Sequence, residues 1–236
     1  MSHLHFPDGV LPPYLWVSGL AVTAVLTALI IYGAGKQEQI KKLPLVGILV
    51  AIMLIAMSIP LGPYHLNLTV LSGIILGPAL AFLAVFTVNL FLSFMGHGGI
   101  TVVGLNTLVI GLEALLGFLG FTLLKSFLRP TGAAAVTTFF ALALSVVFAF
   151  GIVTASQLSY HDIMQAVGGE QVECTHPGHD HSHSQGGGPL LDALKENTPV
   201  GFMGVMSAAA LPGILIESFV VAFIIGYLAR VRPGLF

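Results

Sequence analysis

Charge is scarce in this chain. Lys, Arg, Asp and Glu together make up 8% of its 236 residues, where a soluble domain carries about 25%. So few charges cannot clothe a water-facing surface. The net charge of -2 comes with no basic patch, which argues against nucleic acid as a partner. Cysteine is almost absent too. A single Cys174 excludes an internal disulfide and a cysteine-cluster metal site. No G-x-x-x-x-G-K-[ST] loop is present, so the chain does not hydrolyse ATP by that route. No nucleophile–base motif stands out, and an enzyme is not expected. The first 15 residues hold no Lys or Arg, so no secretory signal is read and the start of the chain is expected to be retained, with Ser2 inviting removal of Met1.

Apolar residues are abundant, at 56% with a mean hydropathy of +0.98. Runs of about 20 apolar residues span a bilayer as helices. Such runs lie at Tyr14–Tyr32, Leu43–Ile59, Val103–Leu124, Ala133–Leu158 and Phe202–Leu228. The uncharged stretch Leu66–Met95 is too long for one span and short for two. Gly77-Pro78 divides it, because proline lacks a backbone donor and Gly-Pro favours a break. The expectation is a short helix over Leu66–Leu76 and a fuller one over Ala79–Met95.

Seven of the eight basic residues fall in three places: Lys36, Lys41 and Lys42; Lys125 and Arg129; Arg230 and Arg232. Basic loops favour the cytoplasm. Seven spans put all three groups there, whereas six split them. The expected fold is therefore an all-α integral membrane bundle of seven helices, one short. Its N-terminus lies outside and its C-terminus in the cytoplasm. Residues 1–236 form one transmembrane domain, with a His-rich outer loop at about 161–198.

That topology puts all nine histidines on the outer side: His3, His5, His65, His97, His161, His176, His179, His181 and His183. Imidazole suits first-row transition metals, and the outer loops before His161 offer one carboxylate, Asp8. A free amine, backbone amides and an early histidine can wrap Ni(II) or Cu(II) in a plane. His3 serves that set with or without Met1, and His65 can complete it. Each histidine also has a bland reading. His3 and His5 can be terminal residues, His65 an interfacial residue beside Tyr64, and His97 a helix-end residue before a glycine turn. His176, His179, His181 and His183 read as a metal-collecting tract or as a solvated linker. Glu113 and Glu217 lie inside spans. They offer a proton relay for a secondary transporter, or a hydrogen bond between helices, which the lack of a basic partner favours. Ala24 and Ala28, with Gly19 and Ala21 nearby, make a small-residue face on the first span, suited to close helix contact.

His5–Gly9, Leu71–Pro78 and His97–Thr107 resemble stretches of the CbiM/NikM family, the substrate-capture components of energy-coupling-factor cobalt and nickel importers. His5-Phe6-Pro7-Asp8-Gly9 resembles the family's N-terminal M-H-I-P-[DE]-G. Leu71–Pro78 is similar to its G-x-x-L-G-P segment, and His97–Thr107 to its H-G-G-[LI]-T-x-x-G-x-N-x run. The resemblance implies a pocket built from the N-terminal amine, an early amide, a second-residue histidine and His65. Motif alignment selects His5 for the histidine; distance from the chain start after Met1 loss selects His3. It further implies His97 and Asn106 as pocket support and Co²⁺ or Ni²⁺ as transported substrate, with no organic cofactor. A transmembrane coupling protein, cytoplasmic ATPase subunits and a small accessory membrane protein are the implied partners. Residues before Leu4, and Leu66-Asn67-Leu68-Thr69 where the family has P-T-G-T, depart from the pattern.

Overall fold

The computed structural model describes residues 6, 8–9, 11–33, 41–59, 65–156 and 199–232, of which 153–155 and 199–209 by backbone alone. Seven helices and no strand occur among the described residues. They are α1 (Pro13–Gly33), α2 (Leu43–Ser58), α3 (Thr69–Leu76), α4 (Pro78–Phe94), α5 (Val103–Leu124), α6 (Pro130–Ala155) and α7 (Pro199–Val231). Prolines open five of them or sit in the first turn: Pro13, Pro44, Pro78, Pro130 and Pro199. Proline is favoured there because its missing N–H belongs to a turn that has no helical acceptor to lose.

The expected division at Gly77-Pro78 is present. Gly77 adopts φ 82, ψ 167 between α3 and α4. Several boundaries differ from the pattern-based expectation, α7 running over Pro199–Val231 rather than Phe202–Leu228. α6 starts at Pro130 rather than Ala133. α3 starts at Thr69 rather than Leu66, because Leu68 is left-handed at φ 57, which no α-helix continues through. α7 runs through Pro212 without ending. Proline costs one hydrogen bond there, which a lipid-embedded helix tolerates when neighbours cover the freed group.

The surface is apolar, and the mainly hydrophobic interior also holds a group of polar side chains. Phe140, Phe219, Phe223 and Tyr227 stand exposed, while Asn67, Asn89, Asn106, Glu113, Ser145 and Glu217 are buried. Bilayer hydrocarbon is the solvent that suits such an exterior. Among the described residues, four stretches are long and apolar enough to cross a membrane: Pro13–Gly33, Val103–Leu124, Pro130–Ile152 and Ala210–Val231. α2 and α4 are shorter apolar helices. The chain is a multi-pass membrane protein.

α5 is the centre of the bundle, packed against α1, α3, α4 and α6, and α6 in turn carries α7. Two glycines make this possible. A Cβ on Gly104 would overlap the Leu20 backbone of α1, and one on Gly73 of α3 would overlap the Ala114 carbonyl of α5. Backbones that close permit a side chain to bond across the crossing: Thr23 Oγ1 donates to the Gly104 carbonyl at 2.8 Å. Gly19 of the small-residue face is spent internally against Leu105, whereas Ala21, Ala24 and Ala28 are exposed.

Candidate metal-binding site

The turn after α4 is built from its glycines. Gly96 and Gly98 take φ 78 and φ 93, conformations that cost other residues dearly. The His97 N–H then reaches back to the Leu92 carbonyl at 2.8 Å, and the Gly96 N–H to Ser93 at 3.2 Å. That pair of bonds is a Schellman ending. His97 is thus a helix-end residue in the sense anticipated, but its ring also has a neighbour. It meets His65 edge to face, with centroids 5.2 Å apart and planes at 75°. Residues 32 positions apart, from separate connections, are brought together here.

The same turn captures the start of the chain. Phe6 is buried with Leu11 against Val102, Leu105, Val109 and Ala149. Its N–H donates to Asn106 Oδ1 at 2.9 Å, and its carbonyl accepts from Asn106 Nδ2 at 3.1 Å. That carbonyl also accepts from the Gly99 N–H at 3.1 Å. Asp8 then grips the far side: its carboxylate accepts from the N–H groups of Ile100 and Thr101, each at 2.9 Å, and from the Thr101 hydroxyl. Gly99 is required at this approach, since any Cβ would run into Asp8. The two motif stretches around Asp8 and His97 are therefore halves of one strap-and-turn joint. Nothing in the pattern alone assigned Asp8 this task; it read only as a lone outer carboxylate.

Electrostatics follow from these contacts. Burial alone would raise the Asp8 pKa. Hydrogen bonds from the Thr101 side chain and amide and from Ile100 outweigh it and hold the carboxyl below its ordinary value. His65 is pushed below the ordinary imidazole value, first by partial burial and then by repulsion from His97. It is accordingly neutral at pH 7, with a lone pair available to a metal.

His3 and His5 lie outside the described residues, as do His161, His176, His179, His181 and His183. Among the described residues no group of three metal-ligating side chains gathers; His65 and His97 form a pair. Glu113 and Glu217 are completely buried; Glu113 bonds to a neighbouring helix, and Glu217 to a segment that precedes one. Glu113 Oε1 accepts from Ser145 Oγ of α6 at 2.7 Å, and its Oε2 from Asn67 Nδ2. Glu217 accepts from backbone N–H groups before α3. Asn67, at the centre of this network, was singled out by the sequence only as a departure from a motif.

The apolar exterior and the long apolar helices define a polytopic membrane protein. The sequence matches the CbiM family, described as the cobalt uptake substrate-specific transmembrane region, over residues 5–235, and the chain belongs to that family. Two solved structures share its fold. One, a truncated transition metal transporter, superposes with a TM-score of 0.68 at 16% identity, covering 97% of this chain and 99% of that one. Another, a transition metal transporter, gives 0.69 at 18% identity, covering 98% and 95%. Comparison with curated proteins gives no significant match.

Proposed function

We propose that this chain is the metal-capturing subunit of an energy-coupling-factor importer for Co²⁺ or Ni²⁺. The observation that carries the reading is the convergence at one turn: the turn whose Gly99, Ile100 and Thr101 hold the strap also presents His97 to His65. Family membership supports a metal cargo. In this reading the ligands are the N-terminal amine, an early amide, His3 or His5, and His65, with His97 and Asn106 orienting them as outer partners orient ligands elsewhere. His176, His179, His181 and His183 gather metal from outside. Residues 1–236 act as one transmembrane domain. The N-terminus faces out, and the basic residues Lys41, Lys42, Lys125, Arg129, Arg230 and Arg232 face the cytoplasm. A transmembrane coupling protein, cytoplasmic ATPase subunits and a small accessory membrane protein supply the energy and the inward release.

The test is uptake of radioactive Co²⁺ and Ni²⁺ into proteoliposomes holding this chain with a coupling protein and ATPases. ATP-dependent accumulation lost in His65→Ala supports the reading. The two buried carboxylates favour a second one, a proton-coupled secondary transporter using Glu113 and Glu217. Accumulation driven by a pH gradient with this chain alone would establish that instead.

A further inference from the structure

We propose that Glu217, seconded by Glu113, is a positioning residue for the metal site: a buried carboxylate that sets the chain at His65 without touching metal. The proposal rests on His65 being a ligand. Residues 65–68 lie outside any helix, and the short α3 begins just after them, with Leu68 in the left-handed region, its carbonyl accepting from the Ser72 N–H at 3.1 Å, and no side-chain cap. The N–H groups of the residues that enter α3 have no partner within the helix. Glu217, some 150 residues later on α7, accepts from two of them. Its Oε1 accepts from the Leu68 N–H at 3.0 Å and its Oε2 from the Asn67 N–H at 3.3 Å. One carboxylate thus fixes two successive peptide planes, the nearer of them two residues from His65.

Glu113 fixes the Asn67 side chain from α5, and it is itself held by Ser145 of α6. The Thr69 hydroxyl closes the set on Asn67 Oδ1. Two long helices, α5 and α7, therefore bind the segment that carries His65, and α6 braces Glu113 behind it. Removing Glu217 frees the left-handed turn, and the His65 ring loses its fixed direction toward His97. Glu217→Gln retains one acceptor oxygen but turns an N–H₂ toward a backbone N–H. It should weaken binding less than Glu217→Leu, which retains neither.

The experiment is Co²⁺ titration of the full chain in lipid nanodiscs, on the monodisperse fraction, with affinity and the d–d absorption spectrum both recorded. His65→Ala, Glu217→Gln, Glu217→Leu and Ser218→Ala are compared. Ser218→Ala removes a buried hydroxyl bonded only within α7, to the Ile214 carbonyl, so it should bind as the wild type does. Glu217→Leu should bind about 10- to 100-fold more weakly with an altered spectrum, and Glu217→Gln should fall between. If Glu217→Leu does not fold, the Gln variant alone decides. Should His65→Ala lose binding while the Glu217 variants keep wild-type affinity and spectrum, positioning is overturned and the metal-site reading stands. Should His65→Ala itself bind normally, both fall together.

Discussion

Replacing Asn106 with Leu probes the strap with little change of volume. The wild-type amide satisfies Phe6 in both directions, at 2.9 and 3.1 Å, and is itself buried. In Asn106→Leu the Phe6 N–H loses that acceptor in a dry site, at about 1–3 kcal/mol. The Phe6 carbonyl keeps its bond from Gly99, so losing its second donor costs only about 0.5–1.5 kcal/mol. Together these shift the strap's docking by roughly 1.5–4.5 kcal/mol, which is about 12- to 1,600-fold in the docked-to-free ratio. Burial of Phe6 and Leu11 opposes undocking, but ordering entropy offsets much of it. The change is therefore large enough to decide the docked fraction. Apparent metal affinity scales with that fraction, and a loss of about tenfold or more is expected. The assay is chelator competition with Co²⁺ in nanodiscs, alongside aminopeptidase digestion to report strap release. Faster digestion with unchanged affinity would refute the link between strap and metal; unchanged digestion would refute the strap's dependence on Asn106.

Gly99→Ala should produce the same release by a different route, because its Cβ collides with Asp8; weakened Co²⁺ binding with little change in thermal stability is expected. Gly104→Ala forces α1 from α5 at a backbone contact and should destabilise the fold by about 1–3 kcal/mol, read as a lower melting temperature in detergent. On the acid side, a lowered His65 pKa means the folded chain keeps His65 neutral below the pH at which a free imidazole protonates. Metal affinity, followed by titration across pH, should therefore lose little to His65 protonation down to about pH 6.5 and decline below it. A His65-dependent decline that is complete above pH 7 would contradict this. Asp8, with its pKa held down, keeps its charge to lower pH than a free carboxyl, so its grip on the turn contributes above about pH 3.9 and is lost only in stronger acid.

Much of this architecture was legible in hydropathy and in proline and glycine. The seven helices, the break at Gly77-Pro78 and the glycine turn at His97 rest on local rules, and they hold. The start of α3 was not legible, because it is set by Glu217 binding the N–H groups of Asn67 and Leu68 from α7. No window around Leu66 contains that information. Asp8 escaped for the same reason: a carboxylate's use as a clamp depends on which amides the fold turns toward it, here those of Ile100 and Thr101. His65 and His97 were each ambiguous alone, and only their shared contact distinguishes them from unrelated loop histidines. Of the intramembrane glutamates, read as a hydrogen bond between helices, Glu113 makes one to Ser145 of α6, whereas Glu217 binds the backbone that precedes α3, a partner that spacing did not reveal.

The most direct measurement is anomalous diffraction at the metal edge from crystals of the Co²⁺-loaded chain. The account requires a peak within bonding distance of the His65 ring and of the N-terminal segment that precedes Phe6. A peak confined to the tract from His176 to His183, with none beside His65, would contradict it.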